Sequence, residues 1–194
     1  TTAFDVSTAS LDSSFSVSSE ETAPMSVKFN NDGTKMFVTG VSSDKVHEYT
    51  LSTAFDVSTA SLEDSLSVSG QDNNPFGLDF NNDGTKMYLT GDQNDKIYEY
   101  NLSTGFDLST ASFNQELYLG SQDIEPFGIE FSPDGTRMFI VGTRDNGIDE
   151  YVLSTGFDIS TATHVCFLST RYHDNSGNPS GIAFSDCLLY TSDA

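Results

Sequence analysis

Short apolar-rich runs of four to nine residues, bounded by Gly, Asn, Asp and Ser, recur along the whole chain, and none has helix-period apolar spacing of useful length. One set comprises "GLDF" (77–80), "KMYLTG" (86–91) and "KIYEYNL" (96–102), and the run "SLEDSLSVS" (61–69) shows a fourth type. Runs of this composition, with turn residues about every ten positions, predict short strands. They are named here a, b, c and d. Between a and b stand Asp32-Gly33, Asp83-Gly84 and Asp134-Gly135. An Asp-Gly pair supplies the positive φ of a tight hairpin, so a and b are predicted to be antiparallel neighbours.

The pattern is an internal repeat. Phe4, Phe55, Phe106 and Phe157 stand 51 residues apart, as do Pro24, Pro75 and Pro126, and Tyr49, Tyr100 and Tyr151. Only the fourth copy slips: Pro179 and Phe184 follow Pro126 and Phe131 by 53 residues, which places an insertion in "TRYHDNSGNP". Four antiparallel strands per unit of about 50 residues make an all-β chain of four-stranded blades, the unit of a β-propeller. The single propeller region 1–194 then divides into an outer strand of a preceding blade (1–23, with strand d over 10–18), blades at 24–70, 75–121 and 126–170, and the start of a further blade at 179–194. The tail "CLLYTSDA" has two readings: translated adapter read-through on a truncated, metagenome-type fragment, or a degenerate b strand "LLYT". An incomplete ring leaves unpaired strand edges, which recruit other strands and favour oligomers. Burial between blades is expected for Phe29, Phe80 and Phe131 and for Met36, Met87 and Met138.

The c–d link is the repeated phrase "FDVSTA" and its variants. Its Asp is predicted to accept hydrogen bonds from amides two or three residues on, and its Phe to plug the turn against the neighbouring unit. Lys35, Lys86 and Arg137 recur with Glu48, Glu99 and Glu150, which predicts one cross-strand ion pair per blade. Strand a varies at Lys28, Asp79, Glu130 and Ala183, bordering the central channel, where these residues either contact a ligand or balance charge around water.

The stretch "PFGIEFSPDGTRMFIVG" (126–142) resembles the blade opening of bacterial YVTN-type and lactonase-like propellers, in which an "SPDGT" hairpin joins the two inner strands. The resemblance covers the a–b part of each complete copy. It implies the propeller fold and carries over no catalytic residue. The Trp-Asp ending of WD repeats is absent, and the chain has no Trp.

Charge narrows the function classes. Eight Lys and Arg against 29 Asp and Glu give a formal net charge of −21, which repels nucleic acid and anionic membrane surfaces. No apolar run reaches the ~18 residues of a membrane helix. Cys166 and Cys187 recur in no other copy, and His47, His164 and His173 fall at unrelated positions, so no metal centre, cofactor site or nucleophilic set converges. Asn101 opens a lone glycosylation sequon. Antiparallel strands send the d–a and b–c links to one end of each blade. There "SEETAP", "GQDNNP" and "SQDIEP", and "GVSSD", "GDQND" and "GTRDN", diverge, whereas the other end repeats. Divergent loops on a repeated scaffold are the usual seat of binding. The candidate ligand face comprises Glu20, Glu21, Asp44, Asp72, Asn73, Asn74, Asp92, Asn94, Asp123, Glu125, Asp145 and Asp174. Asp92, Asp95, Asp123 and Asp145 are the oxygen donors a calcium ion would take. The function these observations favour is a non-catalytic extracellular or virion-associated scaffold binding a glycan, protein or cell surface. The alternatives are a fragment of a lactonase-like enzyme with its catalytic residues in other blades, and a purely structural repeat.

Overall fold

The computed structural model describes residues 7, 9–120, 125–143, 146–169 and 181–184. Among these residues twelve strands form three antiparallel four-stranded sheets, each meandering in chain order. The first holds β1 (Pro24–Phe29), β2 (Lys35–Gly40), β3 (Lys45–Leu51) and β4 (Ala60–Ser67). The second holds β5 (Pro75–Phe80), β6 (Lys86–Gly91), β7 (Lys96–Leu102) and β8 (Ala111–Tyr118). The third holds β9 (Pro126–Phe131), β10 (Arg137–Gly142), β11 (Gly147–Leu153) and β12 (Ala162–Ser169). Strands b and c begin and end where the sequence pattern put them. Strand a starts two residues earlier, at the proline.

The turns form for local reasons. Gly33, Gly84 and Gly135 take φ of +71°, +70° and +68°. A Cβ on Gly33 would also lie 2.3 Å from the Phe55 ring. The glycine therefore answers both to its left-handed conformation and to the aromatic laid across it. Phe55, Phe106 and Phe157 themselves sit at φ near +60°, a costly region for a bulky side chain. Each donates its N–H to the glycine carbonyl of the same blade. The following Asp56, Asp107 and Asp158 each cap a short 3₁₀ turn by accepting from the backbone N–H of Ser58, Ser109 or Ser160 at 3.0–3.1 Å. This is the predicted local turn.

Blades join through three kinds of contact. Aromatics stack across the seams, Phe37 on Phe80 at 4.6 Å and Tyr88 on Phe131 at 4.4 Å between ring centroids. Asparagine amides link successive a–b turns, Asn31 to the Asn82 carbonyl and Asn82 to the Pro133 carbonyl. Charged side chains meet backbone. Lys35 pairs with Glu48, and its Nζ also donates to the Phe106 carbonyl of the next blade at 2.8 Å. Glu48 Oε2 accepts from the Leu108 N–H at 2.8 Å. Lys86 pairs with Glu99 at 2.9 Å and donates to the Phe157 carbonyl, which also accepts from Tyr88. Arg137 pairs with Glu150. The pairs are diagonal, since Glu48 lies opposite Phe37 and not opposite Lys35.

One extra residue in each outer strand, Glu63, Asn114 or Val165, makes a bulge at the same register in all three blades. In the second blade it brings both Asn114 and Gln115 onto the buried Glu99 carboxylate, at 2.8 and 2.9 Å.

Met87, Met138 and Phe131 are buried between blades as expected, whereas Met36 is buried in the first blade's own cluster. Phe29 and Phe80 are only half-buried, at the turn end of their strands. Residues 9–17, within the predicted d strand at 10–18, make no ladder, because among the described residues no strand c lies beside them. Val17 nonetheless packs into the first core, as Val68 and Leu119 do in theirs. At the other end of the chain Phe184 stacks on Phe139 at 4.6 Å, continuing the blade-to-blade contact.

Candidate functional site

The divergent loops stand on buried polar anchors. Glu21 and Asp72, 51 residues apart, are both about 1% exposed. Each carboxylate lies over the glycine ending strand b: a Cβ on Gly40 would meet Glu21 at 2.5 Å, and one on Gly91 would meet Asp72 at 2.4 Å. Glu21 accepts from the N–H groups of Ala23, Ser42 and Ser43 and from the Ser43 hydroxyl, at 2.7–3.1 Å. Burial works to raise its pKa, and these hydrogen bonds outweigh burial and hold it below the usual value. Asp72 accepts from the Asn74 N–H at 2.8 Å and is held above the usual range by burial, with the Asp92 charge adding to it. These two residues of the predicted ligand face point inward. They clamp the d–a link to the b–c turn and present nothing to a partner.

The remaining candidates separate into turn formers and exposed groups. Asp44 and Asp95 hold the left-handed position of the b–c turns, φ +53° and +52°. Their carbonyls accept from Val68 and Leu119, and the Asp95 carboxylate accepts from the Glu125 N–H at 3.0 Å. Asn94 donates to the Gln71 carbonyl and the Tyr98 hydroxyl. Glu20 accepts from the Tyr49 hydroxyl at 3.3 Å, and burial with this neighbour pushes Tyr49 up to about 12. Asn73 donates to Gln93, and Glu125 accepts from the Thr143 hydroxyl. Asn73, Gln93 and Glu125 are exposed, Asn74 and Asp92 half-buried. Asp123, Asp145 and Asp174 lie outside the described residues. Asp92 and Asp95 are not drawn into a cluster: among the described residues no three of His, Cys, Asp or Glu are placed to hold a metal ion. No helix among them is long and apolar enough to cross a membrane.

A set of residues beneath the loops escaped sequence reasoning. Strand c carries His47, Tyr98 and Asp149 at one repeat position, all buried. His47 bridges the Ser43 and Ser65 hydroxyls at 3.0 and 2.8 Å, which extends the Glu21 network into the sheet. Burial, ahead of the Lys45 charge, lowers its pKa and keeps it neutral at pH 7. Asp149 meets His164 at 2.6 Å. The signal was in the sequence: this position changes residue type in every blade while its neighbours, a β-branched residue and Glu, repeat.

On the inner strands the variable position is an ion triad. Lys28 lies 3.2 Å from Asp79 and 2.5 Å from Glu130, linking β1, β5 and β9. Burial, against the pull of Lys28 and with the repulsion of Glu130, raises Asp79 to about 6. Of the triad, Lys28 lines a cavity of about 380 Å³, with Gly77, Gly128 and Gly181 on its walls.

No sequence profile of a known protein family matches the chain, and no curated protein does. Solved structures do. A Bacteroides fragilis protein named as a candidate 6-phosphogluconolactonase matches with TM-score 0.56 at 14% identity, over 75% of this chain and 39% of its own. The periplasmic gluconolactonase of Pseudomonas aeruginosa matches with TM-score 0.52 at 18%, over 76% and 41%. The β-propeller domain of Myceliophteria thermophila Cps50 (Swd1) matches with TM-score 0.51 at 15%, over 68% and 40%. The fold is that of a β-propeller. At these identities the likeness extends to the propeller architecture alone, and the chain spans about two fifths of the length of these structures.

Proposed function

We propose that this run of propeller blades is a non-catalytic binding scaffold, extracellular or virion-associated, whose divergent loop end meets a protein or glycan partner. One observation carries the reading. At the loop end both the exposed residues and the buried anchors beneath them differ from blade to blade, while the opposite end repeats the same caps and turns. The exposed groups there, Asn73, Gln93, Asn94 and Glu125, are amides and a carboxylate, suited to hydroxyls, peptide N–H groups and cationic side chains.

The lactonase alternative has the support of two neighbours' names. In that reading these three blades are scaffold and the chemistry lies in other blades. Arrays of glycans and of basic peptides, probed with the full chain at physiological salt, separate the readings. Binding that Asn73→Arg, Gln93→Arg and Glu125→Arg together abolish, and that Asp107→Ala leaves intact, supports the scaffold. Binding lost with Asp107→Ala and kept with the triple change moves the site to the turn end. Lactone turnover by this chain overturns the non-catalytic reading.

A further inference from the structure

Beneath the loop end of the first blade the sheet register brings together a hydroxyl, an imidazole and a carboxylate that lie far apart in sequence. His47 of β3 stands opposite Ser65 of β4. Its Nδ1 lies 2.8 Å from the Ser65 hydroxyl and its Nε2 3.0 Å from that of Ser43. Ser43 donates in turn to Glu21 Oε2 at 2.8 Å. The acceptor at the end of this chain fixes its direction. Glu21 is ionised at neutral pH, its pKa lying below the usual value, so it only accepts, and the Ser43 proton is committed to it. The Ser43 oxygen is then left to accept, which puts the proton of the neutral imidazole on Nε2 and leaves Nδ1 bare. Nδ1 therefore accepts from Ser65. A hydroxyl donating to an unprotonated imidazole, itself oriented by a third group, is the arrangement of an activated nucleophile.

The other blades fill the same places differently: Tyr98 and Asp149 stand for His47, and Glu116 and Phe167 for Ser65. In the second blade Lys96 pairs with Glu116 at 2.6 Å. The first blade keeps the lysine as Lys45 and puts Ser65 in the place of that glutamate, and the Lys45 charge acts on His47. A neighbouring blade does not close this place. The first blade packs against Tyr98, yet the Glu116 side chain beside it stays 45% exposed.

We propose that Ser65 is an acyl-acceptor site, its hydroxyl taking the acyl group of an activated ester with His47 as base and Ser43 and Glu21 orienting that base. A lone pair of Ser65 Oγ attacks the carbonyl carbon while the hydroxyl proton passes to His47 Nδ1. The carbonyl π pair moves to oxygen, and Lys45 supplies the opposing charge. That pair then re-forms the carbonyl, the bond to the leaving oxygen breaks, and the leaving oxygen takes the proton from Nδ1. Ester and serine give acyl-Ser65 and an alcohol, and His47 ends neutral as it began. The Ser65 N–H does not serve the oxyanion, because it donates to the Asp64 carboxylate at 2.7 Å. The site therefore acts on activated donors and not on ordinary esters. Acyl-Ser65 is itself an ordinary ester, so it persists, and each chain takes one group. The inference goes beyond the binding role and does not rest on it.

The full chain is treated with p-nitrophenyl acetate, and nitrophenolate release is followed beside peptide mapping of the acetylated residues. A burst of one equivalent with acetyl on Ser65 is expected, and Ser65→Ala removes it. His47→Gln slows the burst about a hundredfold, the scale of a lost general base. Ser43→Ala, in an exposed turn, keeps the imidazole but loses its orienting acceptor, slows the burst less, and serves where His47→Gln fails to fold. The burst rate rises with pH and levels off below the ordinary histidine range, since burial, ahead of the Lys45 charge, lowers the His47 pKa. Glu21 and Glu20, from the link before β1, act in the opposite direction, and Val38 and Ser65 face the ring from β2 and β4. Absence of acetyl on Ser65, acetylation no faster than in the urea-unfolded chain, or a Ser65 rate that Ser43→Ala and pH both leave unchanged overturns the proposal. Continuous release that Ser65→Ala stops overturns the acceptor role and the non-catalytic reading together.

Discussion

The two ends of each blade solve the same problem in opposite ways. At the turn end, backbone is held by side chains that act locally and repeat: Asp32, Asp83 and Asp134 each accept from the Thr two residues on, and Asp56, Asp107 and Asp158 each accept from a Ser. At the loop end, backbone is held by groups that reach far along the chain and differ, Glu21 to Ser43 in one blade and Asn94 to Gln71 in the next. A local cap can be copied because it depends on nothing outside its own few residues. A long-range anchor must be fitted to each loop, so loop and anchor vary together.

The sharpest break of this comparison targets the buried carboxylate network of the second blade. Glu99 is fully buried and accepts from Lys86, Asn114 and Gln115. Glu99→Ala takes the buried carboxylate from the Lys86 ammonium and from the Asn114 and Gln115 amides, leaving Lys86 the Phe157 carbonyl and Gln115 the Asp158 carboxylate, and should cost about 3 kcal/mol, read as a drop in the midpoint of chemical denaturation. A loss under about 1 kcal/mol would mean that the Glu99 network contributes no more than a surface ion pair.

Second in size is a pH effect on the inner strands. Asp79 is raised to about 6 from 3.8, so between these values the folded state holds a proton that the unfolded state has released. Its stabilising contribution is present below about pH 4 and is lost as pH rises through 6. Lys28 and Glu130 face it from β1 and β9, and the Tyr88 hydroxyl is pushed up by burial and by Glu99 and Asp79. Asp79→Asn removes the titration and leaves the general charge effect in place. The melting temperature of the parent, relative to this variant, should therefore fall between pH 4 and pH 7. A constant difference would show that Asp79 titrates normally.

Glu21→Ala tests the loop end. It removes the acceptor of three N–H groups and a hydroxyl, and about 2 kcal/mol of destabilisation is expected, with faster hydrogen exchange at Ser42 and Ser43. The same loss without any change in exchange there would place the effect outside the b–c turn. The smallest effect is Asp107→Ala, about 0.5–2 kcal/mol for a lost cap, with partner binding unchanged. Glu21→Ala should disturb binding more than Asp107→Ala even where the stability losses are equal. The reverse order would exchange the functional ends.

Strand b, strand c and the hairpins were readable because each is specified by neighbours in sequence: Asp-Gly sets the a–b turn, and an apolar run bounded by turn residues sets a strand. The segment 10–18 forms no ladder among the described residues for a related reason. Its composition matches β4, but a strand exists only beside a partner, and pairing is not encoded in the segment itself. Which residues of the candidate face are buried was not readable residue by residue. Glu21 and Asp72 look in sequence like any loop acid, and only the glycine one strand away gives them room to turn inward. His47 carried no motif, yet its column in the repeat is the one position of strand c that is buried in all three blades and does not repeat.

The lysine contacts at the seams end on backbone carbonyls, of Phe106 and Phe157. A carbonyl is the same chemical group whatever residue carries it, so this contact is indifferent to the side chain of its neighbour and needs only the turn that aims it. Successive blades then behave as interchangeable parts with a standard coupling. A gene in which the second blade is duplicated keeps the lysine coupling at the seam it adds and changes only the sequence of loops on display, whereas duplicating the third blade puts Arg137 at that place.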